Sequence, residues 1–164
     1  MKITNRVLAL LAFVAVAASA DGQNAPSIAT GRFSGSLRGS FMSGVSDVSR
    51  LSGNADISAL PDRPGVFKVE LRVSTSSAAN GAAATNLLQW SISPGRCGSR
   101  IQVVLAPTEL PALEVRTGGD ADLTWQGPIN LASNGSYQLV VFDKGTSQNN
   151  IVACANLKYS EPKK

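Results

Sequence analysis

Histidine does not occur anywhere in the 164 residues. Its absence excludes a Ser-His-Asp triad and any histidine-ligated zinc or copper centre. Cysteine is limited to Cys97 and Cys154, too few for a four-cysteine zinc site in one chain. Beyond Met1 there is one methionine, Met42, which excludes a thioether copper cluster. Aromatic residues make up 5% of the chain. A carbohydrate-stacking face needs several exposed rings in a row, whereas Trp90 and Trp125 fall in phase with apolar neighbours, as core residues do. Charged residues are also sparse, at 16%, with both signs interspersed. The closest basic groups are Arg96 with Arg100 and the terminal pair Lys163 and Lys164, which form no basic stripe. Nucleic-acid binding is therefore not expected. The glycine-rich "TGGDAD" (Thr117 to Asp122) lacks the lysine and the following helix of a phosphate-cradling loop.

The one long apolar run lies at the start. Lys2 and Arg6 precede "VLALLAFVAVAA" (Val7 to Ala18), and "ASA" places small residues at Ala18 and Ala20, ahead of Asp21. This is the pattern of a secretory signal peptide, residues 1–20, cleaved between Ala20 and Asp21. The run is too short to span a bilayer comfortably, and no cysteine follows it to carry a lipid. No transmembrane segment is expected in the mature chain. A secreted or periplasmic location follows. Without Lys2 and Arg6, the net charge falls from +4 to +2. About 144 residues then remain, enough for one domain with a substantial core. Two cysteines in an exported chain usually form one disulfide. Joining Cys97 to Cys154 would close a loop of about 58 residues, worth about 4 kcal/mol by loop entropy. The rival reading is a pair of free buried thiols.

Period-two alternation recurs along the rest of the chain. In "VFKVELRV" (Val66 to Val73), Phe67, Val69, Leu71 and Val73 face one way while Lys68, Glu70 and Arg72 face the other. A strand with one buried and one wet face requires that pattern; a helix would scatter the charges. Strands are likewise expected in "GRFSGSLRG", "SGNADISAL", "NLLQWSI", "RIQVVL", "ADLTWQ", "SYQLVVF" and "IVACANLKY". Turn signals separate them: "PDRPG", "SPGRCGS", "TGGD", "SNGS" and "DKG". Asn134-Gly135 suggests a tight hairpin turn, and with Ser136 it also matches a glycosylation sequon. The expected fold is all-β: an antiparallel Greek-key β-sandwich or flattened barrel of about seven to eight strands. Residues 21–30 are expected to be a flexible lead-in, 31–160 the domain and 161–164 a tail.

Asp120 and Asp122, two apart, share a face if they lie on a strand, and are the candidates for a calcium site with Asp62 or Asp143. The alternative is a solvated hairpin end. Glu109, Glu114 and Asp122 are the carboxylates available to a hydrolase that works without histidine. No cofactor is expected, and no catalytic residue is assigned.

"IVACANL" (Ile151 to Leu157) resembles the last strand of the copper/zinc superoxide dismutases, where "ACG" followed by apolar residues carries the disulfide cysteine. Cys97 in "PGRCGS" would correspond to the partner cysteine in an earlier loop. The resemblance implies a related antiparallel sandwich and disulfide. It does not imply dismutation, because every metal-binding histidine is missing. The chain is also similar to the CHRD family of small exported β-modules. The expected function is a non-catalytic binding or structural module with a protein or glycan partner, using loops such as "SPGRCGSR" and "DKGTSQNN". The alternatives are a carboxylate-dependent hydrolase of envelope or extracellular polysaccharide and a calcium-dependent adhesion or matrix module.

Overall fold

The alternation in "VFKVELRV" becomes the strand Val66–Thr75, with Phe67, Val69, Leu71 and Val73 buried and Arg72 exposed. The structure is a computed structural model, and it describes residues 27–39, 51–75, 86–102, 104–105, 109–116, 118–143 and 150–162. The Ala20–Asp21 junction, "FMSGVSD" and most of "DKGTSQNN" lie outside the described residues.

Eight strands are formed: β1 (Arg32–Gly39), β2 (Leu51–Ala59), β3 (Val66–Thr75), β4 (Asn86–Pro94), β5 (Leu113–Val115), β6 (Asp120–Pro128), β7 (Tyr137–Asp143) and β8 (Ile151–Ser160). They make one antiparallel sheet in the order β5-β4-β7-β8-β1-β2-β3-β6. The sheet curls until its ends meet, giving a nearly closed barrel. β1, β2 and β3 follow one another, whereas the β3–β4 and β6–β7 connections leap across the barrel, as the Greek-key expectation requires. Among the described residues there is no α-helix.

The core is built by alternate residues from every strand. Phe33, Phe67, Trp90, Leu71, Ile92 and Leu139 are fully buried. Phe33 meets Tyr137 edge-on at 5.6 Å and Tyr159 at 5.1 Å. Where β4 and β6 face each other without pairing, Trp90 and Trp125 form a T-shaped contact at 6.1 Å. Trp90 Nε1 donates to Pro111 O at 3.0 Å, so its polar edge is satisfied.

Three local expectations are corrected. "RIQVVL" forms no ladder strand among its described residues; it runs beside β4, with Val104 N donating to Ile92 O at 2.9 Å. Val104 and Leu105 are both half-buried and pack against the core. The place beside the start of β4 is taken instead by β5, a three-residue strand between Pro111 and the Gly118–Gly119 turn. Asn134-Gly135 does turn, with Gly135 N donating to Ala132 O at 3.0 Å, but it joins β6 to β7, which are not neighbours. Gly135 is not left-handed here; the Tyr137 ring fills the space a Cβ would take, at 2.4 Å. Finally, the lead-in is held from Ser27 onward, earlier than Gly31. Ala29 N donates to Leu131 O at 2.7 Å, and Ala29 joins the core.

Candidate functional site

The outward-facing residues of β7 and β8 are less polar and more buried than a barrel exterior requires. Gln138 and Val140 on β7 stand opposite Asn156 and Cys154 on β8. Ser93 and Ser91 on β4 continue the same two rows. Ser91, Ser93, Gln138 and Val140 are buried although they lie on the outer face.

Their cover is the connection that leaves β4. Gly95 and Gly98, at φ 100° and 93°, take the left-handed conformations needed to turn the chain back sharply. Gly95 N donates to Ser136 O at 2.9 Å and Ser99 N to Arg96 O at 2.8 Å. Cys97 N then donates to the side-chain Oδ1 of Asn156 at 2.8 Å. The expected disulfide joins Cys97 to Cys154, with the Cα atoms 5.9 Å apart. One covalent bond and one amide thus fasten a loop to the outside of β8.

Beside this staple lies an open groove of about 750 Å³. Its floor is the outer face of β1, β2 and β8: Ser34, Ser36, Arg38, Asn54, Asp56 and Lys158. Cys97, Gly98 and Ser99 form one wall, with Gln138 at its base. The β1–β8 ladder, paired at Ser34↔Lys158 and again at Arg38↔Cys154, is interrupted between those points. Gly35 sits in the interruption, close against β8: a Cβ there would lie 2.5 Å from Asn156 O.

Two features of the groove bear on binding. Gln138 is 1% exposed, and its Nε2 has no hydrogen-bond partner. Its Oε1 lies 3.5 Å from Cys154 Sγ, but a disulfide sulfur carries no proton to donate. A buried amide left unpaired costs about 1–3 kcal/mol. The second feature is charge. Asp56, the one carboxylate among the described groove residues, is already bridged by the Arg32 guanidinium, whose Nε donates at 3.0 Å. Arg38 and Lys158 have no ion-pair partner among the described residues and are exposed. The groove therefore offers hydroxyl and amide groups together with two cations that have no counter-ion among the described residues.

The other candidates are placed elsewhere. Asp120 and Asp122 lie exposed on β6, opposite Ser74 and Arg72. Arg116 Nη1 stands 3.7 Å from Asp122, so cations already flank that carboxylate. Among the described residues, no group of three or more His, Cys, Asp or Glu side chains could hold a metal ion. Glu109 and Glu114 are exposed on the β4–β5 connection and on β5, and neither lines the groove. Asp122 instead borders a shallow depression of about 390 Å³ with Glu70 and Arg72. There the Lys68 ammonium, 2.9 Å from Glu70, holds that carboxyl below its ordinary value. A general acid for glycoside cleavage needs a shift in the other direction.

Alternation in "GRFSGSLRG" sets Ser34 and Ser36 apart from Phe33 and Leu37, but nothing local indicates that the faces of β1 and β8 adjoin. Gln138 was hidden within "SYQLVVF", where a polar residue between apolar ones reads as solvent-facing. Its one sequence signal was its position in the strand on the same side as Val140. No protein-family model, curated protein or solved structure matches the chain, so its functional reading rests on the groove and its staple.

Proposed function

We propose that the chain is a secreted or periplasmic, disulfide-stapled β-module that acts by binding, with the groove beside Cys97–Cys154 as its contact surface and a protein or glycan as partner. One observation carries this reading: a loop is fixed covalently as the wall of a polar groove whose base holds a desolvated, unpaired amide at Gln138. Binding sites combine shaped, pre-formed concavities with a few placed polar groups. The cross-link supplies the pre-formation, because it restrains the wall before any partner arrives. The export half of the reading rests on the leader from Lys2 to Ala20, and a disulfide is at home in an oxidising compartment.

The test is a defined panel of neutral and acidic oligosaccharides and peptides passed over the immobilised, oxidised chain. Ser36→Trp fills the groove floor; Thr124→Trp, exposed on β6, adds the same ring away from it. Both variants are first required to melt cooperatively. Retention of a ligand class that Ser36→Trp abolishes and Thr124→Trp spares is the expected result. Retention indifferent to Ser36→Trp, or no retention of any class, would overturn the proposal.

A further inference from the structure

We infer that the groove takes an acidic oligosaccharide, one whose carboxylates pair with Arg38 and Lys158 while its hydroxyls meet the Ser34, Ser36 and Asn54 floor and the amide of Gln138; this rests on the binding role proposed above. Charge selects the sign of the ligand. Arg38 stands opposite Cys154 and Lys158 opposite Ser34, four residues apart along β8. That spacing puts their Cα levels roughly 13 Å apart along the strand, too far for one carboxylate to bridge and suited to an elongated ligand with repeated charges. The carboxylate that could repel such a ligand, Asp56, is neutralised by Arg32.

The floor selects the class. Serine hydroxyls and an asparagine amide both donate and accept, matching the hydroxyl and ring-oxygen pattern of a sugar. An acidic peptide would instead seek pockets for its side chains or an exposed strand edge, and the floor is a sheet face with small residues. Gln138 supplies the independent sign of a ligand. Its Nε2 is buried without an acceptor, so a ligand oxygen reaching the base of the groove would satisfy a donor that is already stripped of water.

Calorimetric titration of the oxidised chain with a short oligogalacturonate tests the inference, with a neutral galactose oligomer of equal length and a poly-glutamate peptide as comparators. Affinity for the oligogalacturonate is expected to fall with added salt. Arg38→Gln and Lys158→Gln should each weaken it by roughly two- to fivefold, as exposed charge pairs do, and the double variant by about the product. Lys68→Gln, outside the groove, should leave it unchanged. Gln138→Leu should weaken binding while leaving the melting temperature of the free chain equal or higher, since it deletes an unpaired buried donor; a lower melting temperature would make Gln138 structural and overturn its part in the site. Equal binding of the neutral oligomer overturns the charge argument. Poly-glutamate binding as well as the uronate, with the same sensitivity to Arg38→Gln, overturns the sugar assignment and leaves the groove as a binding site. No binding of any of the three overturns the inference; groove-dependent retention of another ligand class in the panel above would still leave the binding role standing.

Discussion

At the scale of single residues, burial was legible and close approach was not. The period in "VFKVELRV" assigned each side chain to a face, because that depends only on the residue's own strand. The need for glycine at position 53 depends on a neighbour: a Cβ there would lie 2.0 Å from the Arg72 carbonyl oxygen on β3. Backbone of a paired strand cannot retreat cheaply. Gly53→Ala is expected to cost about 1–3 kcal/mol, read as a lower urea midpoint. Charge is predictable at this scale too. Lys68 keeps the Glu70 carboxyl below its ordinary value, so the folded state favours the ionised form. The resulting stabilisation is present at neutral pH, above the unfolded pKa, and is lost as pH falls through the lower, folded one. The gap in stability between the wild type and Lys68→Met should therefore close as the solution is acidified through that window. A gap unchanged with pH would show that the pair is not linked to titration.

Among elements, long alternating strands were recognisable and short or non-periodic segments were not. β5 has the right pattern, Leu113 and Val115 buried with Glu114 exposed, but three residues are too few to stand out from a loop. "RIQVVL" had the composition of a strand, but its described residues form no ladder and meet β4 through the bond from Val104 N to Ile92 O. The pairing of the cysteines was readable from their number in a chain expected to be exported; that the bridge would wall a groove was not, since no local signal places β1 beside β8. Complete burial of a large apolar side chain contributes about 1.5–3 kcal/mol. The cross-link, at about 4 kcal/mol at its upper end, matches roughly two such side chains. Replacing both cysteines with serine should lower stability by a few kcal/mol in urea. It should also speed hydrogen exchange in β7, whose outer residues Gln138 and Val140 lose their cover. Trp90→Phe tests the β4–β6 junction, where it removes both the bond to Pro111 O and part of the contact with Trp125. A loss of about 1–3 kcal/mol is expected from calorimetry, more than the hydrogen bond alone would give.

For the whole molecule, the class and its Greek-key character were legible and the order of the individual strands was not. Alternation without helical periodicity indicates an antiparallel β-protein. The order of the strands is set by contacts between residues far apart in the chain, which leave no mark in any one window. The proposed export is tested at this scale too. Mass spectrometry of protein recovered outside the cytoplasm is expected to find Asp21 as the first residue and two fewer hydrogen atoms than the reduced chain; an intact leader would refute the proposed processing.

The first and last strands of the barrel lie side by side, with Arg32 opposite Ser160. Little chain would be needed to splice those ends together, and the exposed Pro61–Pro64 bend between β2 and β3 offers a place to cut new ones. A circularly permuted gene opened there should still produce the oxidised barrel. The same adjacency would let the module be inserted into a surface loop of another protein as a cassette, entering and leaving through one narrow doorway.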